Sequence, residues 1–173
     1  MNYIPKYFLY NCKNIKNFTI PDNVTKINGF AFASCDNLTS IEMPNSVTSI
    51  GEFAFAGCMS LTSIEMPNSV TSISRNTFYG CTSLTSIEIP NNVTSIGKYT
   101  FNDCDSLTKV IIGNGVTNIG DAAFSGCINL KEIRYLGTKK EAIKSGIGSK
   151  SKKKWRENSI IKKIICTDGI IEF

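Results

Sequence analysis

The sequence contains no histidine, and this absence removes the most common general base and metal ligand in proteins. Every Ser-His and Cys-His catalytic arrangement is excluded with it. Long apolar runs are also missing, because none approaches the roughly 18 residues that a membrane-spanning helix needs. The opening residues, MNYIPKYFLYNC, do not place a charged segment before an apolar one, so they predict no signal peptide. These absences argue against the familiar enzyme classes.

Cysteine is abundant by contrast, and six of the seven cysteines recur at every twenty-third position. The six are Cys12, Cys35, Cys58, Cys81, Cys104 and Cys127. Other residues follow the same interval, since Leu38–Ile50 and Leu61–Ile73 share the sequence LTSIEMPNSVTSI. A fixed period of this length predicts a repeat architecture. One unit cannot bury its large apolar side chains alone, so we expect the units to stack into a solenoid.

Each unit predicts two short strands and a turn. In LTSIEMP, Ile41, Glu42 and Met43 alternate between apolar and polar, as in a strand with one buried face. A proline then ends the strand, and VTSIG predicts a second, smaller strand. Asn or Gly closes most copies of this second strand, where we expect a positive φ. The Ala-Phe segment before each cysteine predicts a short helical turn that carries the phenylalanine inward.

The repeating unit, C-x-x-L-x-x-I-x-[MI]-P-x-x-V-x-x-I-G-x-x-A-F, resembles the BspA-like (treponemal-type) leucine-rich repeat. The resemblance covers roughly residues 12–137 and implies a leucine-rich-repeat solenoid, a right-handed β/α superhelix. It places a parallel β-sheet on the concave face and short strands with helical turns on the convex side. It also implies a role in adhesion or protein recognition, at the cell surface or in secreted form. Because the sequence predicts no export signal, a cytoplasmic location stays open as the alternative.

The chain divides into three expected parts by period and charge. Residues 1–11 form an N-terminal half-repeat, residues 12–137 hold five full units and the start of a sixth, and residues 138–173 form a C-terminal cap. Residues 1–137 carry nine basic and ten acidic side chains, whereas residues 138–173 carry ten and four. Thr138–Glu141 matches a capping box and predicts a short helix. A helical turn at residues 152–156, with Trp155 on the last unit, and a hairpin at residues 160–173 complete the expected cap.

The regular cysteines permit two interpretations. Stacked units place equivalent Cα atoms ~4.8 Å apart, and that distance alone does not forbid disulfide bridges. However, each cysteine stands in the same place of its unit, between an inward phenylalanine and an inward leucine. We therefore expect free, buried thiols that fill space in the core. The sequence predicts no metal site or cofactor, because it has neither C-x-x-C nor histidine.

The candidate binding residues point outward from the predicted concave sheet. They are Ser40, Glu42, Asn45, Ser63, Glu65, Asn68, Ser86, Glu88, Asn91, Lys109 and Arg134. Stacked glutamates repel each other, which favours a cation or a basic partner beside them. The alternative is a solvated face that duplication has copied. We expect a non-enzymatic, monomeric module that binds another protein or a surface polymer.

A second candidate surface is the basic cluster of the cap. It consists of Lys150, Lys152, Lys153, Lys154 and Arg156. Such a cluster suits a polyanion, namely a glycosaminoglycan, a nucleic acid or an anionic membrane. It also suits a simpler role, in which the charges keep the end of the solenoid from stacking on other chains. A hydrolase is the third hypothesis, and it requires two carboxylates in a recessed pocket that an open sheet face does not predict.

Overall fold

The structure, a computed structural model, describes residues 2–149 and 154–173. In chain order the strands are β1 (Tyr3–Ile4), β2 (Asn17–Thr19), β3 (Lys26–Ile27), β4 (Ser40–Glu42), β5 (Ser49–Ile50), β6 (Ser72–Ile73), β7 (Ser86–Ile89), β8 (Ser95–Ile96), β9 (Lys109–Ile112), β10 (Asn118–Ile119), β11 (Glu132–Tyr135), β12 (Lys163–Cys166) and β13 (Gly169–Glu172). Helix α1 (Lys139–Ser145) and a 3₁₀ helix (Lys154–Arg156) lie between β11 and β12.

The strands form two stacks, one from each strand position of the repeat. The short strands pair in parallel as one six-stranded sheet in the order β1-β3-β5-β6-β8-β10. The long strands form a two-stranded sheet, β2-β4, and a five-stranded sheet, β13-β12-β11-β9-β7. Paired residues are one repeat apart, as Ile27 with Ile50 and Ile50 with Ile73. The predicted solenoid is therefore confirmed, and we call its turns coils 1 to 6, which begin at Cys12, Cys35, Cys58, Cys81, Cys104 and Cys127.

The long-strand stack is interrupted at coil 3. Residues 61–66 form no strand, although the adjoining stretches of coils 2 and 4 do. Leu61–Ile73 has the same sequence as Leu38–Ile50, which contains both β4 and β5. Because the two sequences are identical, the difference comes from the neighbouring coils and not from local preference.

The Ala-Phe segment differs from the predicted helical turn. It is a run of tight turns, in which Ala56 N–H donates to Phe53 O and Cys58 N–H donates to Phe55 O. The intervening amides donate to the next coil, as Phe55 N–H does to Thr77 O at 2.9 Å. In a helix, these amides would bond within the segment itself. Here they bond to the next coil, and the segment therefore helps to join the coils.

The expected positive φ at Gly51 and its equivalents is wrong. The left-handed residues lie in the following turn, where Phe53 has φ 56° and Gly57 has φ 69°. Gly51 serves close packing instead, because a Cβ there would lie 2.6 Å from the backbone nitrogen of Gly29 in the preceding coil. Ser74, which stands at the same position of the next coil, donates its Oγ to Ile50 O.

The core is a set of columns that run through the coils. One column is a stack of parallel phenylalanine rings with centroids 5.2–5.6 Å apart and planes within 13°: Phe32, Phe55, Phe78, Phe101 and Phe124. All five side chains are fully buried. Phe18 packs on the first ring at 5.2 Å, and Trp155 packs edge-on against the last ring at 6.0 Å. The stack is thus covered at both ends.

The cysteines form a second column beside the phenylalanines. All seven are free, and all except the half-buried Cys12 are buried, which confirms the prediction of free thiols. Each thiol of coils 2 to 6 donates to the backbone carbonyl that lies 26 residues earlier in the chain, as Cys81 Sγ does to Phe55 O at 3.1 Å. Burial raises the pKa of Cys35 to about 11 and that of Cys127 to about 12. It raises the pKa of the thiols between them as well.

The C-terminal residues continue the path of the solenoid with a longer coil. Ile133 pairs with Ile164, a separation greater than one repeat, and β12 then turns into β13 as the predicted antiparallel hairpin. The capping box is confirmed, since Thr138 Oγ1 accepts from Glu141 N–H and the Glu141 carboxylate accepts from Thr138 N–H. The carboxylate of Glu141 accepts from both the backbone N–H and the hydroxyl of Thr138, and these two hydrogen bonds lower its pKa. Gly146, at φ 86°, ends helix α1.

Candidate functional site

The long-strand face carries the predicted binding residues in two outward rows. The first row runs Ser40, Ser63, Ser86, Lys109 and Glu132, and the second runs Glu42, Glu65, Glu88, Ile111 and Arg134. The predicted binding residues of these rows are exposed, except for the half-buried Ser86. The parallel register aligns the residues within each row, because Ser86 pairs with Lys109 in the first row and Glu88 pairs with Ile111 in the second. The structure therefore brings the predicted residues onto one surface.

At both ends of the face, side chains of the two rows bond to residues of adjacent coils. In coil 2, Ser40 Oγ donates to Asn17 Oδ1 at 2.7 Å, and Thr19 Oγ1 donates to the Glu42 carboxylate at 2.9 Å. At the other end, Lys163 and Glu132 form an ion pair at 2.7 Å. Each of these bonds joins residues of adjacent coils. The ends of the face are consequently held by the protein itself.

The middle of the face differs, because its acidic side chains have no partner in the part of the chain that the structure describes. Within residues 2–149 and 154–173, the side chains of Glu65 and Glu88 form no hydrogen bond and no ion pair. Glu65 has a glutamate on each side, in coils 2 and 4, and it stands where the long-strand stack is interrupted. Charge then changes along the face, since Lys109 and Arg134 follow in coils 5 and 6. The face is acidic in coils 2 to 4 and mixed beyond them.

Two clefts lie on this face. A cleft of about 310 Å³ is lined by Ile64, Glu65, Met66, Asn68, Glu88 and Pro90. Another, of about 470 Å³, includes Lys109, Glu132, Arg134 and Tyr135 in its lining. Both lie between side chains of adjacent coils. One cleft therefore lies in the acidic part of the face and the other in the part of mixed charge.

The asparagines at the edge of the face take part in the turns. Asn45, Asn68 and Asn91 are exposed. Asn91 Oδ1 accepts from Asn114 N–H at 3.2 Å, and Asn68 O accepts from the Asn92 side chain at 2.7 Å. These contacts join coils 3, 4 and 5, so the edge of the face is shaped by inter-coil hydrogen bonds.

The basic cluster of the cap is only partly described. Lys150, Lys152 and Lys153 lie outside the described residues. Lys154 is exposed, and its carbonyl accepts from Ala122 N–H. The Arg156 guanidinium lies over the Phe173 ring at 3.7 Å, and desolvation lowers its pKa. Arg156 is thus engaged in packing.

The sequence interpretation did not identify a surface row of aromatic residues near the N-terminus. Tyr7, Phe30 and Phe53 stack with centroids 5.1 and 4.7 Å apart, and Lys6 lies 4.9 Å from the Tyr7 ring. Tyr7 is half exposed. The available signal was the run of aromatic residues in positions 3–10 together with the repeat interval.

Metal-binding and membrane-spanning features are absent from the part of the chain that the structure describes. Residues 2–149 and 154–173 contain no group of three or more acidic or cysteine side chains placed to hold a metal ion. None of the helices in those residues has the length and apolar character to span a bilayer.

The fold and its exposed rows define a leucine-rich-repeat solenoid. The profile of the BspA type leucine rich repeat region matches residues 2–138 in six copies, so the chain belongs to this family. The repeat class is typical of protein-binding and surface proteins. No curated protein matches the sequence significantly.

Three solved structures show the same fold. The Treponema pallidum leucine rich repeat protein has 34% identity and a TM-score of 0.67 over 69% of this chain and 58% of its own. A leucine rich cell surface protein of Faecalibacterium prausnitzii has 40% identity and a TM-score of 0.71, over 73% and 34%. The pneumococcal vaccine antigen PcpA has 29% identity and a TM-score of 0.62, over 70% and 30%. The chain therefore spans less than two thirds of the length of each of these proteins.

Proposed function

We propose that the protein is a non-enzymatic binding module that holds another protein or a surface polymer on its long-strand face. The observation that supports this proposal is the pair Glu65 and Glu88, whose exposed side chains have no partner among the described residues and lie in the middle of the face. The two ends of the face, by contrast, are bonded to adjacent coils. Glu65 has a glutamate at the same position of each adjacent coil, and a basic partner would offset the repulsion among these like charges. The face therefore suits a partner segment rich in lysine or arginine over coils 2 to 4.

The nearby residues complete this binding surface. Ser40, Ser63 and Ser86 supply hydroxyl groups beside the glutamates, and Asn45, Asn68 and Asn91 supply amides at the edge. Lys109 and Arg134 disfavour basic groups in coils 5 and 6, which orients the partner along the solenoid. We propose that the protein is a monomer. We also propose that it has three parts: an N-terminal half-repeat (residues 1–11), the repeats (residues 12–137) and a C-terminal cap (residues 138–173).

The location is proposed from two structural neighbours. One of them is described as a cell surface protein and another as a vaccine antigen. We propose a surface or secreted location for this chain on that basis. An antibody against the purified protein, applied to intact and to permeabilised cells, tests it, since staining of permeabilised cells alone would support the cytoplasmic alternative.

The binding proposal is tested with a variant of reversed charge. The protein is applied to an array of equal-length basic, neutral and acidic peptides. We expect binding to the basic peptides, and loss of that binding when Glu42, Glu65 and Glu88 are replaced by lysine. The matched control replaces Glu52, Asp105 and Glu157, which are exposed acids away from the face, and should retain binding.

A heparin column distinguishes the alternative function, binding of a polyanion by the cap, from binding by the long-strand face. Binding of a polyanion by the cap predicts retention on heparin that decreases steeply with salt. Two results together would favour the cap over the long-strand face. The Lys154→Ala variant would lose this retention on heparin, and the wild type would not bind the basic peptides. Equal peptide binding by the reversed-charge variant and its control would remove the present proposal.

A further inference from the structure

The charge of the long-strand face changes between coil 3 and coil 6. One line of equivalent positions crosses these coils: Glu65, Glu88, Ile111 and Arg134. The register aligns three of them, because Ile111 pairs with Glu88 on one side and with Arg134 on the other. Coil 3 stays in contact with coil 4 beside this line, since Thr62 O accepts from Thr85 N–H at 3.0 Å. A ligand that meets both Glu65 and Arg134 must therefore cross the strands.

The basic end of this line lies in the cleft of about 470 Å³. Lys109 and Arg134 line the cleft, and both side chains are exposed. Neither forms an ion pair within residues 2–149 and 154–173. Glu132, the acid in the lining, is held by Lys163 at 2.7 Å. The cleft therefore presents two cations that no carboxylate of the described residues neutralises.

Apolar side chains border Arg134 on both sides. Ile111 and Ile165 are its pairing partners in the adjacent strands, and both are half-buried parts of the same cleft lining. A charge pair formed beside such groups is screened less than a pair in open solvent. The planar guanidinium also offers two parallel donors to one carboxylate. The cleft thus favours a carboxylate, and an apolar neighbour beside it.

The distance between the two charged parts determines the spacing in a ligand. Neighbouring strands lie ~4.8 Å apart, so Glu65 and Arg134, which are three coils apart, are separated by ~14 Å. An extended segment rises ~3.3 Å per residue and directs alternate side chains to one face. Its residues i, i+2 and i+4 therefore face the sheet together, and the first and last of these are ~13 Å apart. A segment of five residues spans both parts of the face.

We propose that the long-strand face binds an extended segment of a partner protein that carries basic residues at positions i and i+2 and an acidic residue at i+4. The first basic residue lies over Glu65 and the second beside Glu88. The acidic residue enters the cleft between Lys109 and Arg134. This inference rests on the proposed function, and it narrows the partner from a basic segment to one with charges of both signs in a fixed order.

The test compares three fluorescent peptides by anisotropy. SGKTKTESG has the proposed order, SGKTETKSG has the same composition with its acid in the middle, and SGKTKTQSG has no acid. We expect the first to bind about fivefold more tightly than either of the others, the effect of one favourable charge pair. The scrambled peptide has the same net charge as the first, so a difference between them reports the order of the charges.

Variants assign this preference to the cleft. Lys109→Gln combined with Arg134→Gln should remove the preference for SGKTKTESG. The matched control combines Lys26→Gln with Lys144→Gln, which removes two exposed lysines from β3 and α1, and should keep it. Arg134→Glu is the reciprocal test. It should bind SGKTKTKSG more tightly than the wild type does, because a lysine at i+4 then meets a carboxylate.

The outcomes separate this inference from the proposed function. If SGKTKTQSG binds as tightly as SGKTKTESG and depends on Glu65 and Glu88, the proposed function stands and the acid site is excluded. If the wild type binds none of the peptides, both are overturned. A preference for SGKTKTESG that persists without Lys109 and Arg134 would place its acid elsewhere and would also overturn the inference.

Discussion

The rings of Phe78 and Phe101 lie parallel, with centroids 5.5 Å apart and planes within 3°. The rings belong to coils 3 and 4, so the contact couples two consecutive units. Coils stacked in this way depend on their neighbours for stability. The loss of one ring from the middle of the stack should therefore affect several coils.

Replacing Phe78 with alanine should lower the free energy of unfolding by about 3–5 kcal/mol, because it leaves a cavity between two buried rings. Chemical denaturation monitored by circular dichroism measures this. Tyr79→Ala is the control, since Tyr79 is the next residue and is 41% exposed. Similar losses in the two variants would contradict the stacked core.

The buried thiols should make the protein less stable at alkaline pH. Burial raises the pKa of Cys81 in the folded state, whereas an unfolded thiol has a pKa of ~8.5. Above that pH the unfolded chain releases a proton that the folded chain keeps. The free energy of unfolding therefore falls by about 1.4 kcal/mol per pH unit for each such thiol, until the pH passes the folded pKa.

Urea unfolding between neutral pH and about pH 10 measures this dependence. Cys81→Ala should be less stable at neutral pH, since it loses the bond to Phe55 O, but its stability should fall less steeply with pH. Parallel curves for the wild type and the variant would show that the thiol does not titrate as described.

Trp155 should protect the C-terminal end of the phenylalanine stack. Trp155→Ala removes the ring that covers Phe124, and we expect a loss of about 3–5 kcal/mol. Amide hydrogen exchange should accelerate first in coil 5 and last in coil 2, because the core is opened from one end. Ile160→Ala, at a residue that is 40% exposed, is the control. Uniform acceleration along the chain would contradict this order.

Repulsion at Glu65 should weaken the long-strand stack. Glu65 has a glutamate at the same position of both adjacent coils, whereas Glu88 has one on one side only, because Ile111 lies on its other side. We expect Glu65→Thr to raise the free energy of unfolding by about 0.2–1 kcal/mol, and more than Glu88→Thr. Thermal unfolding at low and high salt checks the cause, since salt should reduce the difference. A difference that is independent of salt would exclude charge repulsion.

The register of the solenoid was predictable because it follows from the interval alone. Once Ile27, Ile50 and Ile73 recur at the repeat interval, their alignment in one column is the arrangement that buries them all. The capping box at Thr138 and the terminal hairpin were predictable from local sequence signals. These features depend on short-range chemistry or on exact repetition.

Other features depend on the neighbouring coils and could not be read from one unit. Residues 61–66 have the sequence of residues 38–43 and still form no strand. The positive φ of Phe53 and the close approach at Gly51 both arise where the backbone meets an adjacent coil. The site residues were assigned to a face by alternation, whereas their bonding to residues such as Asn17 depended on side-chain reach across the stack.

The sequence identity between Leu38–Ile50 and Leu61–Ile73 has a consequence for how the chain folds. A nucleus can form around either copy with the same local contacts, so a slip by one whole repeat is an accessible misfolding event. The unlike ends prevent it from persisting: only the correct winding seats Trp155 on Phe124 and Tyr7 on Phe30. These two contacts thus set the register in which the coils described here stack on one another.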